Sequence, residues 1–404
     1  MSVRFRLGVM MFLQYAIWGA WAPVLSDYLK NTLGFSGAQF SLIYSLLPLA
    51  TIIAPFIGGQ VADRYLASQK VVAGLQLAGG IFLVLIATTT AYGTMVWLML
   101  GYCLLYAPTL ALTNSIAFIN LQNSEKEFGK IRVWGTIGWI AAGYLLTLWR
   151  IGGQSASGLA FKGDMLLLAG IFSLIMGIQA FSLPSTPPRK EGVKPWAFLE
   201  ALKMMKDRNF LVFIIIAFVV ATELMFYYIL TAPFLTSPKI GVSSTILPWV
   251  MTIAQVAEIF VLAFLLPYLI ARIGIRKILT LGILAWPVRY IIFAIGQPSW
   301  LVIASLALHG FCFVFFFAAA FIYVDTIAPR DIRHSAQSLI TLVTYGVGNY
   351  IGSLFAGWVH DLFTQNEVTN WTNVFLVPCF LTVLCAFVFL FFFRERRAAQ
   401  EVQR

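Results

Sequence analysis

Four ionisable side chains, Glu223, Glu258, Arg289 and His309, stand inside long apolar stretches, and a fifth, Arg132, opens another. An ionisable group is costly in hydrocarbon, so one that is kept there is a candidate for ligand binding or proton handling. Gln255 and Glu258 are three residues apart and share a helix face. An amide beside a carboxyl supplies both donors and acceptors, which suits hydroxyls or ring nitrogens, and the carboxyl can also carry a proton. The competing reading is a structural pair bonded to a neighbouring helix. Arg132, Thr136 and Trp139 recur at i, i+4 and i+7, again on one face, with Gly135 and Gly138 to one side of it. The glycines suit close helix packing; a snorkelling interface residue is the alternative for Arg132. Glu223 and Arg289 read as an ion pair within the second half, because Arg289 has no other evident counter-ion. His309 is either a satisfied helix contact or a ligand and proton carrier.

Weaker polar positions surround these. Gln14, Asn114 and Asn349 read as hydrogen-bonding glue between helices, and Gly348 with Gly352 as a packing pair. Trp139, Phe226, Tyr227, Tyr228, Phe313 and Phe317 lie in the same stretches as the polar residues. Aromatic faces beside a few polar groups are what a nucleobase or sugar ring needs.

The elements that must position these residues are set by composition. Of 404 residues, 60% are hydrophobic and 11% charged, too little charge to cover a soluble protein of this length. Blocks of about 20 apolar residues span a bilayer core, and they are expected at 6–28, 38–62, 70–92, 95–119, 131–150, 164–183, 210–235, 244–271, 276–296, 299–325, 334–360 and 371–393. The first carries Arg4 and Arg6 at its front, and Ala20-Trp21-Ala22 mimics a cleavage site. Its length and the spans that follow read as a retained helix rather than a signal peptide. Of the 27 Lys and Arg, only Lys30, Arg150, Lys162 and Lys239 fall on one side and Arg289 lies within a span. The remaining 22 fall on the side that holds both termini, which makes that side cytoplasmic. The net charge of +11 is thus a membrane-topology signal, not a nucleic-acid footprint.

The longest polar stretch runs from Pro184 to Asn209. It divides the chain into six-helix bundles at 1–183 and 210–404 joined by a linker at 184–209. Apolar residues at 196, 199, 202 and 205 beside Glu200, Lys203 and Lys206 predict an amphipathic helix on the cytoplasmic surface. After the second span, Gly59-Gln60-Val61-Ala62-Asp63-Arg64 with Lys70 resembles the loop signature of the major facilitator superfamily. That fold implies that Asp63 and Arg64 meet the start of span eleven at Arg333, as a cytoplasmic latch between the halves. Cys103, Cys312, Cys379 and Cys385 have no metal or disulfide spacing. The three histidines, His309, His334 and His360, have no nucleophile partner, and no phosphate loop or HExxH is present. These absences argue against an ATP-driven pump and an enzyme.

Several blocks resemble the bacterial nucleoside:proton symporters: Phe12-Leu13-Gln14-Tyr15, Trp18-Gly19-Ala20-Trp21, Ala107-Pro108-Thr109-Leu110, Ile131-Arg132 through Gly138, Glu223-Leu224, Gln255 with Glu258, Ala285-Trp286 with Arg289, and Ser335-Ala336-Gln337. The resemblance covers nearly the whole chain. It implies a nucleoside site that uses Arg132, Thr136 and Trp139 on span five, Gln255 and Glu258 on span eight, and Phe313 on span ten. Met225 and Tyr228 stand where the family has a Gln and an Asn, His309 where it has a Tyr, and Val314 where it has an Asp. Proton coupling is then expected from Glu258 with His309, and the cargo is a nucleoside or a similar ring-bearing polar solute. The expected protein is an all-α, twelve-span monomer of a bacterial inner membrane, with the proton as coupling ion and no other cofactor. A same-fold symporter for a sugar or other metabolite is the rival, followed by a membrane-embedded enzyme or sensor.

Overall fold

A computed structural model describes residues 2–64, 66–156, 163–187, 197–329 and 331–394; side chains at 55–64, 124–126, 154–156, 197–198 and 334 lie outside the described set. The described backbone is almost wholly helical, the form in which a chain satisfies its own backbone polar groups in hydrocarbon. The one sheet among the described residues is a small antiparallel hairpin, β1 (Thr364–Gln365) and β2 (Val368–Thr369). Its turn places Asn366 and Glu367 at φ 48° and 65°.

The long helices are α1 (Val3–Trp21), α2 (Gly37–Arg64), α3 (Ser68–Thr88), α4 (Tyr92–Asn120), α5 (Ser124–Ala156), α6 (Asp164–Ala180) and α7 (Arg208–Leu235). They continue with α8 (Leu247–Phe260), α9 (Leu266–Ile295), α10 (Ser299–Ile327), α11 (Ser335–Leu362) and α12 (Trp371–Phe392). Among the described residues, ten helical stretches are long and apolar enough to cross a membrane, and α6 is a shorter apolar helix. One stretch, Leu247–Ile295, runs for 49 residues, more than twice the roughly 20 that a bilayer core requires. It is broken at Gly274, with φ 78° and ψ 164°, a conformation open to a residue without Cβ. The break falls in the gap expected between 271 and 276.

Many large apolar side chains face outward, among them Trp97 (73% exposed), Phe380 (69%) and Trp300 (68%). A surface of this kind is covered by lipid in a multi-pass membrane protein, whereas soluble proteins avoid extended apolar patches.

The chain forms two compact units. Unit one is Met1–Pro195 with Tyr228–Thr252, and unit two is Trp196–Tyr227 with Ile253–Arg404. In unit one, α1 packs on α5 and α6, α3 on α4 and α6, and α2 on α4. In unit two, α9 runs along α12 and against α10. The expected amphipathic segment is a short helix, Ala197–Ala201, continued by a 3-10 turn, Leu202–Lys206. Ala201 is buried while Leu199 and Leu202 are exposed, and the segment packs on the first turns of α11, Arg333–Thr341. Trp196 lies outside the described residues.

A buried polar cluster holds four helices of unit one together. Gln14 Nε2 donates to Thr109 Oγ1 at 2.9 Å, Gln76 Nε2 donates to Gln14 Oε1 at 3.0 Å, and Ser173 Oγ donates to Gln76 Oε1 at 2.7 Å. Each such bond contributes about 1 kcal/mol, and losing one partner costs more because the other stays buried. Gln14 is therefore glue between helices, as its position suggested. In unit two, Asn349 with its amide nitrogen turned inward donates to Thr344 O and Ala221 O. An added Cβ on Gly352 would stand 2.5 Å from Thr222 Cα, so the small-residue pair of α11 is a packing face against α7.

Candidate functional site

The residues singled out by sequence fall on both units. Arg132, Thr136, Trp139 and Tyr228 belong to unit one, and Met225, Gln255, Glu258, His309 and Phe313 to unit two.

In unit one the α5 face is built against α1. The Arg132 guanidinium lies 3.9 Å over the ring of Tyr15, a cation–π contact that holds the charge without neutralising it. Among the described residues no carboxylate forms an ion pair with Arg132. Gly135 makes room for the arrangement: a Cβ there would meet the Tyr15 ring at 2.6 Å and Arg132 Nη1 at 2.8 Å. Trp139 is buried and meets Trp18 edge-on, with ring centroids 5.3 Å apart. Gly19 receives it; a Cβ on Gly19 would lie 2.7 Å from Trp139 Cα. Thr136 is half-buried between them on the same face, and Tyr228 is also half-buried. Tyr15 was missed as a partner of Arg132 because nothing in local spacing links residues on different helices.

In unit two, Gln255 is buried and Glu258 half-buried on α8. Gly310 of α10 brings the two helices together, since a Cβ on it would stand 2.8 Å from Ala257 C and 3.0 Å from Glu258 N. The neighbouring His309 is fully buried and stacked on Tyr227 (centroids 4.3 Å) and Phe313 (5.7 Å). Its Nδ1 lies 3.3 Å from Arg289 Nη1. A guanidinium only donates, so Nδ1 is the acceptor and the ring proton sits on Nε2. Phe313 begins a π-helical stretch, Phe313–Ala318, a local irregularity frequent at functional sites. Met225 is buried on α7.

The expected Glu223–Arg289 ion pair is absent among the described residues. Both side chains are fully buried, yet neither carboxylate oxygen of Glu223 and neither Nε nor Nη2 of Arg289 has a hydrogen-bond partner. The guanidinium is wrapped by aromatic faces instead, with Tyr227 and Trp286 each at 4.5 Å. The pairing inference failed because it assumed that the two groups face each other; the ring faces took that place.

The side chains of Asp63 and Arg64 lie outside the described residues. Arg333 Nε is 3.7 Å from Asp325 Oδ1 with both side chains exposed, a pair of small energetic weight. All four cysteines are free and buried, and no group of three metal-ligating side chains occurs among the described residues.

A polar centre in unit one had no sequence signal beyond an acid at the end of the first span. Asp27 is buried and accepts from Asn31 Nδ2 at 2.7 Å and Thr236 Oγ1 at 2.5 Å through Oδ1, and from Ser244 Oγ at 3.0 Å through Oδ2. Arg150 pairs with Asp164 in bidentate fashion at 2.7 and 2.8 Å and donates to Ser244 O at 2.7 Å. Thr147 Oγ1 accepts from Trp249 N at 3.0 Å. These bonds tie Tyr228–Thr252 to the first-half helices.

The family described as "Nucleoside H+ symporter" matches residues 1–398. The chain is 36% identical to the transporter YegT of Escherichia coli (strain K12) over 413 residues, covering 98% of this chain and 95% of that one. It is 30% identical to the nucleoside permease NupG of the same organism, covering 98% and 97%. The crystal structure of nucleoside transporter NupG superposes with a TM-score of 0.87 at 28% identity, over 98% of this chain and 100% of that one. At 15% identity the D-xylose-proton symporter still gives 0.73, a likeness of fold alone. With a match of this extent, the chain belongs to the nucleoside:H+ symporter family.

Proposed function

We propose that the protein imports nucleosides with protons across a bacterial cytoplasmic membrane by alternating access of two six-helix bundles. The observation that carries this reading is the family match over residues 1–398. Twelve spans follow when the stretch broken at Gly274 is read as two and α6 as one. The distribution of basic residues then puts both termini in the cytoplasm. Arg132, Thr136, Trp139, Met225, Tyr228, Gln255, Glu258, His309 and Phe313 take part in binding. The guanidinium, amide and carboxyl groups bond to hydroxyls and ring nitrogens, and the aromatic faces stack on the ring. Met225 and Tyr228 are the positions that tune the cargo, because they replace the family's two amides.

Glu258 carries the coupling proton: protonated while substrate is held, deprotonated toward the cytoplasm. His309 joins that role only when Arg289 leaves its Nδ1, because a proton on Nδ1 removes the acceptor and sets two cations side by side. The proton is the sole coupling ion, the protein works as a monomer, and Asp63, Arg64 and Arg333 latch the cytoplasmic side. The test is uptake of labelled nucleosides into proteoliposomes under an imposed pH gradient. Accumulation that collapses with a protonophore is expected. Sugar uptake with none of any nucleoside would overturn the reading.

A further inference from the structure

Glu223 sits fully buried in α7 with both carboxylate oxygens unpartnered. From α9, Tyr290 spends its hydroxyl on the backbone carbonyl of Glu223, at 2.5 Å, and not on the carboxyl. Arg289 is its neighbour in sequence. That helix packs in turn against α10, which carries the buried His309 and Cys312, and along α12, which carries the buried Cys379 and Cys385. Tyr227 lies one turn further along α7 and is buried. From α11, Gly348 and Gly352 press on Ala221 and Thr222.

A carboxylate with neither a donor nor a cation beside it is strongly disfavoured in such surroundings. The site accommodates Glu223 as the neutral acid, holding a proton. The complementary charge is already present in the same unit. Arg289 is equally buried, and its cation is met by ring faces and by His309 Nδ1, with two of its nitrogens left over. Tyr290 links the two residues through the backbone of one of them: its hydroxyl donates to the Glu223 backbone carbonyl and its ring centroid lies 5.3 Å from the Arg289 guanidinium carbon.

We propose that Glu223 is a second proton-binding site of the transport cycle, loaded in this conformation, whose deprotonated form pairs with Arg289 in another. The step balances simply. The carboxylic acid releases one proton, and the new anion draws the guanidinium from His309 Nδ1. His309 stacks on Phe313, a candidate substrate residue, so the movement transmits proton loss to the ring-binding face. This inference rests on the symport reading above, and Glu223 acts alongside Glu258.

Two measurements test it. In proteoliposomes, Glu223→Gln mimics the protonated acid permanently; nucleoside exchange should persist, while accumulation under a one-unit pH gradient should fall by about tenfold, the worth of one coupled proton. Wild-type accumulation in Glu223→Gln overturns the proposal. If that variant does not fold, Glu223→Asp takes its place: it keeps an acid of different reach, and a displaced pH profile of exchange is expected, an unchanged one overturning the idea. The second measurement needs no cargo. Infrared spectra of the purified protein at neutral pH should show a protonated buried carboxyl band that is missing in Glu223→Gln, or displaced in Glu223→Asp. A band identical in wild type and variant overturns the proposal even if no nucleoside is transported, so this failure is distinct from a failure of the nucleoside reading.

Discussion

At single residues the proposed site can be tested one charge at a time. Arg132 rests on the Tyr15 ring without a carboxylate partner among the described residues, so its guanidinium can serve an incoming hydroxyl or carbonyl. Glu258 is half-buried one turn from the buried Gln255, a position open enough to exchange a proton and enclosed enough to sense a ligand. Replacing it by Gln fixes the neutral form. Glu258→Gln is therefore expected to exchange labelled nucleoside across the membrane yet concentrate it far less than wild type under a pH gradient, and unchanged accumulation would move the proton to another residue. The face of Arg132, Thr136 and Trp139 was legible in the sequence because helical periodicity is a local property. The Tyr15 contact was not, since it depends on which helix packs alongside.

At the level of elements, close helix contacts place these groups. Gly138 lies against the backbone carbonyl of Phe12, Gly19 against Trp139, and Gly310 against Ala257 and Glu258. An inserted side chain at such a contact forces the helices apart at a cost of about 1–3 kcal/mol. Gly138→Leu should lower the Tm of the detergent-solubilised protein and weaken uptake together. Gly74→Leu is the matched control, since nothing lies within 4 Å of a Cβ there; its Tm should stay at the wild-type value. Equal melting of the two variants would mean that the α1–α5 contact does not set stability. The sequence showed Gly135 and Gly138 beside the Arg132–Thr136–Trp139 face, but Gly310 carried no local signal, because its importance lies in the backbone of a different helix.

For the whole molecule, the polar centre at Asp27 decides which segments belong together. Thr236 and Ser244 come from the second half of the chain, yet they bond to Asp27 inside unit one. In the topology proposed above, this centre lies at the outer face. Hydrogen bonds to a charged acceptor contribute about 1.5–3 kcal/mol. Asp27→Ala should speed hydrogen exchange in that segment by roughly ten- to a hundredfold, read by mass spectrometry. Exchange at the wild-type rate would show that the segment is held by other contacts.

The sequence alone determined that this is a multi-span helical membrane protein, where its apolar stretches lie, how its basic residues are distributed, and which residues share a helix face. Those properties depend on the length of apolar runs and on spacings of three and four residues, which any stretch of chain displays by itself. Only the tertiary structure decided the partners. Asp27 and Thr236 are 209 residues apart, and Arg289 meets His309 and four ring faces rather than Glu223. Partner choice between distant helices follows from which backbones can approach and which rings fill the space between them.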